Sequence, residues 1–121
     1  MKSPHCYIAG PMRGRRKLNF PAFFAAEAAL SKLGWVVHNP ARLDTEDACP
    51  HEMGTVEAMR FFARRDTQVI LNMRSERGDA VVLLPDWKRS QGARCENALA
   101  RWVWLRRVTL AKALKEGKVG R

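Results

Sequence analysis

The run Ala80-Val81-Val82-Leu83-Leu84, closed by Pro85, constrains the fold more than any other stretch of this chain. It is apolar at every position. A strand with one wet face alternates apolar and polar residues, whereas a strand covered on both faces loses that alternation, as in the centre of a parallel sheet. Parallel neighbours need long crossovers, usually helices, which pack on the two faces. One short run therefore predicts an α/β protein in three layers.

The flanking pattern fits that expectation. His5 to Ala9 is short, apolar and stopped by Gly10-Pro11, as a buried first strand would be. Pro21 suits the first turn of a helix. Phe20, Phe23, Ala26, Leu30 and Leu33 follow at steps of three and four, giving that helix one apolar face ended by Gly34. Trp35 to Val37 reads as the second strand, broken by Asn39-Pro40. Ala41 to Gly54 reads as a polar, irregular loop over the site. Thr55 is placed to cap a helix from Val56 to about Leu71, with Met59, Phe62, Val69 and Ile70 toward the core. Arg74 to Gly78 is a charged loop before the central strand, and Asp86 to Gln91 is a loop after it. Gly92 to Trp104 reads as a helix, Val108 to Leu110 as a last short strand and Ala111 to Lys115 as a tail helix. This β-α-β-α-β-α-β-α order predicts one three-layer α/β/α sandwich, with a mostly parallel sheet, over residues 1–121.

Composition narrows the class. The 121 residues suit one domain, and 46% hydrophobic content supplies a core. No run of about 18 apolar residues is present, so no membrane span is expected. Met1 to Gly10 lacks the long apolar stretch of a secretory signal, which predicts a cytoplasmic protein. Cys6, Cys49 and Cys95 are an odd, widely spaced set, unlike a disulfide framework. Cys49 and His51 have no second close ligand pair, so no zinc site is expected. Lys and Arg total 22 against 12 Asp and Glu, a net +10 that attracts nucleotides, phosphate esters or nucleic acid. The charge is spread over Arg13 to Lys17, Arg60 to Arg65 and Arg101 to Arg121, unlike the single block of a basic tail.

Open α/β sheets bind ligands beyond the carboxyl ends of their strands. The loops there are Gly10 to Gly14, the segment from Asn39 onward, and Pro85 to Gly92. Gly10 and Gly14 allow backbone amides to approach a ligand, and Arg13 brings a fork of donors suited to phosphate. Ser90 with Gly92 opens a helix, where a hydroxyl, free amides and the helix dipole form a phosphate seat; Ser90 serves equally well as a plain N-cap. Glu96 lies six residues further on, near the same mouth of the sheet. On a helix otherwise apolar at Ala93, Ala98, Leu99 and Trp102 it is a candidate nucleophile or base, or else a surface glutamate paired with Arg94 or Arg101. Asp66 is a second candidate carboxylate, or an ordinary exposed charge following Arg64 and Arg65. Tyr7, the only tyrosine, is either core or the hydroxyl partner of a nearby carboxylate.

Tyr7-Ile8-Ala9-Gly10-Pro11-Met12-Arg13-Gly14 resembles the opening motif of the nucleoside 2-deoxyribosyltransferase-like superfamily. Ser90-Gln91-Gly92-Ala93-Arg94-Cys95-Glu96-Asn97-Ala98-Leu99-Ala100 resembles its second signature, a glycine turn leading into a helix that carries a catalytic glutamate. Val81 to Ser90, with Leu84-Pro85-Asp86-Trp87, looks most like the domain of unknown function 4406 family of phage and bacterial proteins, within that superfamily. The likeness spans about Tyr7 to Ala100; Arg74-Ser75-Glu76-Arg77 makes the stretch before the central strand longer than usual.

The resemblance implies a Rossmann- or flavodoxin-like fold and a set of roles. Glu96 matches the glutamate that attacks C1′ and forms a glycosyl-enzyme ester. Tyr7 matches the tyrosine that positions it, and Asp66 an aspartate that assists departure of the base. Gly10, Pro11, Met12, Arg13, Ser90 and Gly92 match the loops that hold the sugar end, with Asn39 as a further substrate contact. At the position of Ser90, transferases acting on free nucleosides are similar to an aspartate, and the nucleotide N-hydrolases to a serine. A hydroxyl donates to a phosphate that a carboxylate would repel. The implied activity is N-glycosidic cleavage of a 2′-deoxynucleoside 5′-monophosphate, as hydrolase or transferase, with no metal or redox cofactor. Relatives imply a homodimer or larger homo-oligomer, for which Trp102 and Trp104 are suitable anchors. Two other readings stay open: a non-catalytic nucleotide-binding or sensing module, and a basic nucleic-acid-binding protein using Arg101 to Arg107.

Overall fold

A computed structural model describes residues 2–120. In chain order the elements are β1 (His5–Ala9), α1 (Phe20–Lys32), β2 (Val36–His38), α2 (Pro40–Glu46), α3 (Val56–Leu71), β3 (Ala80–Leu83), α4 (Gln91–Trp102), β4 (Arg106–Thr109) and α5 (Leu110–Glu116). The strands form one parallel sheet in the order β2-β1-β3-β4. The apolar run at 80–84 is a central strand, buried at every position.

Register explains the layering. Cys6 pairs with Ala80, Tyr7 with Val81, Ile8 with Val82 and Ala9 with Leu83. Side chains alternate across a strand. Cys6, Ile8, Ala80, Val82 and Leu84 therefore pack to one side, against Phe23, Ala26 and Leu30 of α1 and Ala113 of α5. Tyr7, Ala9, Val81 and Leu83 pack to the other, against Ile70 of α3 and Ala93 and Ala100 of α4. The result is the expected α/β/α sandwich, Rossmann- or flavodoxin-like.

The chains of β1 and β3 leave the sheet side by side. Leu84 N–H donates to Ala9 O at 2.9 Å. A Cβ on Gly10 would lie 2.8 Å from Leu84 Cβ and Cδ1, so only glycine lets the two exits run this close. At the opposite end of the sheet, buried Asp79 accepts from the amides of His5 and Arg74, each at 2.7 Å, and pairs with Arg77. The stretch 74–77 thus anchors the start of β3.

Several expectations are corrected. The segment 41–54 is not one irregular loop, because Pro40–Glu46 is a helix. Asn39-Pro40 does break β2, but it does so by starting α2: the Asn39 side chain accepts from Ala41 N–H and Pro40 takes the first turn. Met59 is exposed, and Phe62 and Val69 are half-buried, so the core face of α3 is narrower than its apolar residues suggested. The second strand is displaced by one residue to Val36–His38. The fourth starts earlier, at Arg106, since an edge strand tolerates two exposed arginines while Val108 alone is buried. Helix α4 ends at Trp102, and Trp104 takes a left-handed φ of 62° where glycine is usual.

Candidate active site

A cavity of about 770 Å³ opens where the exits of β1 and β3 meet the start of α4. Its wall gathers Tyr7, Gly10, Pro11, Met12, Arg13, Asp66, Ser90, Gly92 and Glu96, nine of the ten residues singled out from the sequence. They come from β1, its loop, α3 and α4.

The tenth, Asn39, is a correction. Its side chain is buried and is used up by the protein: Oδ1 accepts from Ala41 N–H at 2.9 Å, and Nδ2 donates to Glu27 Oε1 at 2.9 Å and Phe23 O at 3.4 Å. It builds the start of α2 and lies outside the cavity wall.

At the head of the cavity the Tyr7 hydroxyl donates to Glu96 Oε2 at 2.7 Å. The partners are 89 residues apart and meet because β1 ends beneath the second turn of α4. Tyr7 is buried in the α3/α4 side of the core. Burial and the Glu96 and Asp66 charges push its phenol well above the ordinary value. Burial also drives Glu96 up to about 8; Asp66 adds to that rise, while the Tyr7 bond and Arg65 oppose it. Asp66 is raised too, by burial first, against the pull of Arg65. Carboxyl groups held this way favour the protonated form and are typical of sites that move protons or attack carbon.

The other side of the cavity gathers a helix start and three arginines. Ser90 caps α4, its hydroxyl accepting from Ala93 N–H at 3.1 Å. Both readings of Ser90 therefore meet, a cap at the lip of a cavity. Arg13, Arg15 and Arg89 stand on the same wall, with Arg15 pairing to Asp86 at 3.3 Å across the two loops.

Sequence reasoning missed much of the α3 wall. Met59, Phe62, Ala63, Asp66 and Thr67 all line the cavity. Their spacing is i, i+3, i+4, i+7, i+8, the signature of one helix face. Asp66 was singled out from the sequence, but Met59 and Phe62 on the same stripe read as core, and Ala63 and Thr67 drew no attention. Met53, Leu18 and Asp44 also line the wall. Asp44 was hidden because its helix was. The segment Lys17-Leu18-Asn19, beside the wall, has positive φ at three successive non-glycine residues, held by Asn19 Nδ2 donating to Pro11 O at 2.9 Å. Among the described residues no group of three His, Cys, Asp or Glu side chains is arranged to hold a metal ion. No helix among them is long and apolar enough to cross a membrane.

Comparison with curated proteins yields no match. Residues 4–109, which carry Tyr7, Asp66, Ser90 and Glu96, match the family described as Domain of unknown function (DUF4406), and the chain belongs to that family.

Proposed function

We propose that this protein cleaves the N-glycosidic bond of 2′-deoxynucleoside 5′-monophosphates, with Glu96 as nucleophile. The observation that carries the reading is the part-buried Tyr7–Glu96 hydrogen bond at the head of a cavity lipped by the capped start of α4. Ser90 and Glu96 are six residues apart, a helix rise of about 9 Å. That is comparable to the reach across a deoxyribose from its phosphate to its anomeric carbon. With the phosphate on the start of α4 and beside Arg13, Glu96 faces C1′.

In the proposed sequence a Glu96 oxygen attacks C1′ as the C1′–N bond breaks, through an oxocarbenium-like transition state. The bonding pair leaves with the base nitrogen, and Asp66 supplies its proton. Tyr7 holds the unreacting Glu96 oxygen. Water then cleaves the sugar ester, or a second base takes the sugar. The uncommonly exposed Trp102 and Trp104, at 79% and 87%, support a homodimer joined at the end of α4.

The test is incubation with a panel of deoxynucleotides and deoxynucleosides, followed by chromatography for free base. Base is expected from the monophosphates, and none from Glu96→Ala with unchanged circular dichroism. Turnover retained in that variant refutes the assignment. Tight nucleotide binding without any release moves the cavity to a sensing role. Ser90→Asp is expected to lower use of the monophosphate at least about tenfold relative to the nucleoside, the scale of losing one charge-assisted bond; an unaltered preference removes Ser90 from the phosphate site.

A further inference from the structure

Arg65 lies behind the cavity wall rather than on it, yet it touches three residues of that wall. Its Nε donates to Asp66 Oδ1 at 2.9 Å. Its Nη2 lies 2.6 Å from Asp44 Oδ1 and 2.8 Å from Asp66 Oδ1. The guanidinium carbon stands 5.3 Å from the centre of the Phe62 ring. The side chain is 14% exposed. Its buried Nη1 has no hydrogen-bond partner among the described residues. Neighbouring residues on a helix diverge by about 100°. Arg65 must therefore fold back over α3 to reach Asp66, and in doing so it ties α2 to α3.

We infer that Arg65 is the positioning residue that sets the charge and orientation of Asp66, and that Asp44 limits its hold by sharing the same guanidinium. This rests on the reading of Asp66 as acid toward the departing base. Four groups face Asp66: Arg65 on its own helix, Asp44 from α2, Tyr7 from β1 and Glu96 from α4. Two carboxyl groups thus share one guanidinium, whose charge also acts on Glu96. Without that cation, buried Asp66 between two other carboxyls would hold its proton too firmly to give it up. Bound by Arg65 alone, it would remain a carboxylate and have no proton to give. Division of the guanidinium between Asp44 and Asp66 leaves Asp66 between those limits. Burial still outweighs the cation, so its titration stays above the usual range. Both Arg65 bonds to Asp66 fall on Oδ1, which leaves Oδ2 to carry the proton. When that proton passes to the base nitrogen, the new carboxylate is already paired.

The experiment compares Arg65→Met, Arg65→Lys and Asp44→Asn with the parent protein. Carbon-detected NMR titration of the Asp66 carboxyl, without substrate, is the first readout. Its midpoint is expected to rise in Arg65→Met and fall in Asp44→Asn, with Arg65→Lys lying between the parent and Arg65→Met. General structural damage would not drive the midpoint in opposite directions. Base release is the second readout. In Arg65→Met, kcat is expected to fall about tenfold or more, with KM within about twofold, as for impaired proton transfer. The alkaline limb of its kcat profile moves up, and that of Asp44→Asn moves down. An Asp66 midpoint unchanged in the variants, or moved the same way in Arg65→Met and Asp44→Asn, overturns the proposal. If Arg65→Met does not fold, Arg65→Lys and Asp44→Asn decide it by the same signs. If the parent releases no base from any substrate, the proposed activity fails, while the titrations still decide what Arg65 does to Asp66.

Discussion

At the scale of single residues, the feature with the widest consequences is a carboxyl group under a sheet-borne phenol. Glu96 ordinarily titrates at 4.5 and here is lifted to about 8, chiefly by burial. The folded protein therefore binds this proton more tightly than the unfolded chain does. The stability associated with it is complete below the unfolded value and is lost as pH climbs toward 8. Glu96→Gln removes that loss, so it is expected to stabilise the protein by up to about 4 kcal/mol at pH 8 and hardly at all at pH 4. Chemical denaturation at the two values checks this, and an equal gain at both would point to packing alone. Activity should follow the opposite sign on its acid side. A nucleophile must be ionised and its acid partner protonated, so kcat/KM for base release is expected to trace a bell, low in acid where Glu96 holds its proton and low again in alkali where Asp66 has lost its own. A pH–rate profile on the free enzyme reads this directly. Under the proposed reading, the same residue costs stability where it supplies chemistry, a trade often seen at active sites.

Helices and strands differ in how plainly the sequence announced them. β1 and β3 were legible because both are apolar and end at Gly-Pro or Pro, and α1 because its apolar residues keep a helical period. β4 was blurred because Arg106 and Arg107 face solvent on an edge. α2 was missed altogether. Seven mostly polar residues carry little periodicity, and the Asn-Pro pair that starts the helix also signals a break. The candidate site followed the same divide. Tyr7, Ser90 and Glu96 sit in compact motifs whose order placed them at one mouth, whereas Asp44 was lost with its helix. Arg65 was passed over because its importance lies in three partners that only the packed α2 and α3 bring within reach. The reassignment of Asn39 carries its own expectation. Asn39→Ala deletes the cap of α2 and strands the groups it bonds, lowering stability by about 1–2 kcal/mol in a denaturant titration. No loss would mean that α2 is held without its cap, by packing on α1 and β1 and by the Arg65–Asp44 bond.

For the whole molecule, the two most exposed large apolar side chains are neighbours. Trp102 and Trp104 stand almost fully exposed where α4 turns toward β4, and Leu71 is half exposed at the end of α3. The sheet edges are poor association sites, since β2 has three residues and β4 presents two arginines. A homodimer through the tryptophans is the expected assembly. Trp102→Glu with Trp104→Glu should yield a monomer in sedimentation velocity without change in the far-ultraviolet spectrum. A parent already monomeric at micromolar concentration removes that assembly. The lone tyrosine of the chain has one more consequence. Phenol absorption from all 121 residues originates at a single spot, against the carboxyl that is to react. A tyrosine-selective signal, such as the resonance of a ring-labelled tyrosine, thus becomes a local reporter of what enters the cavity.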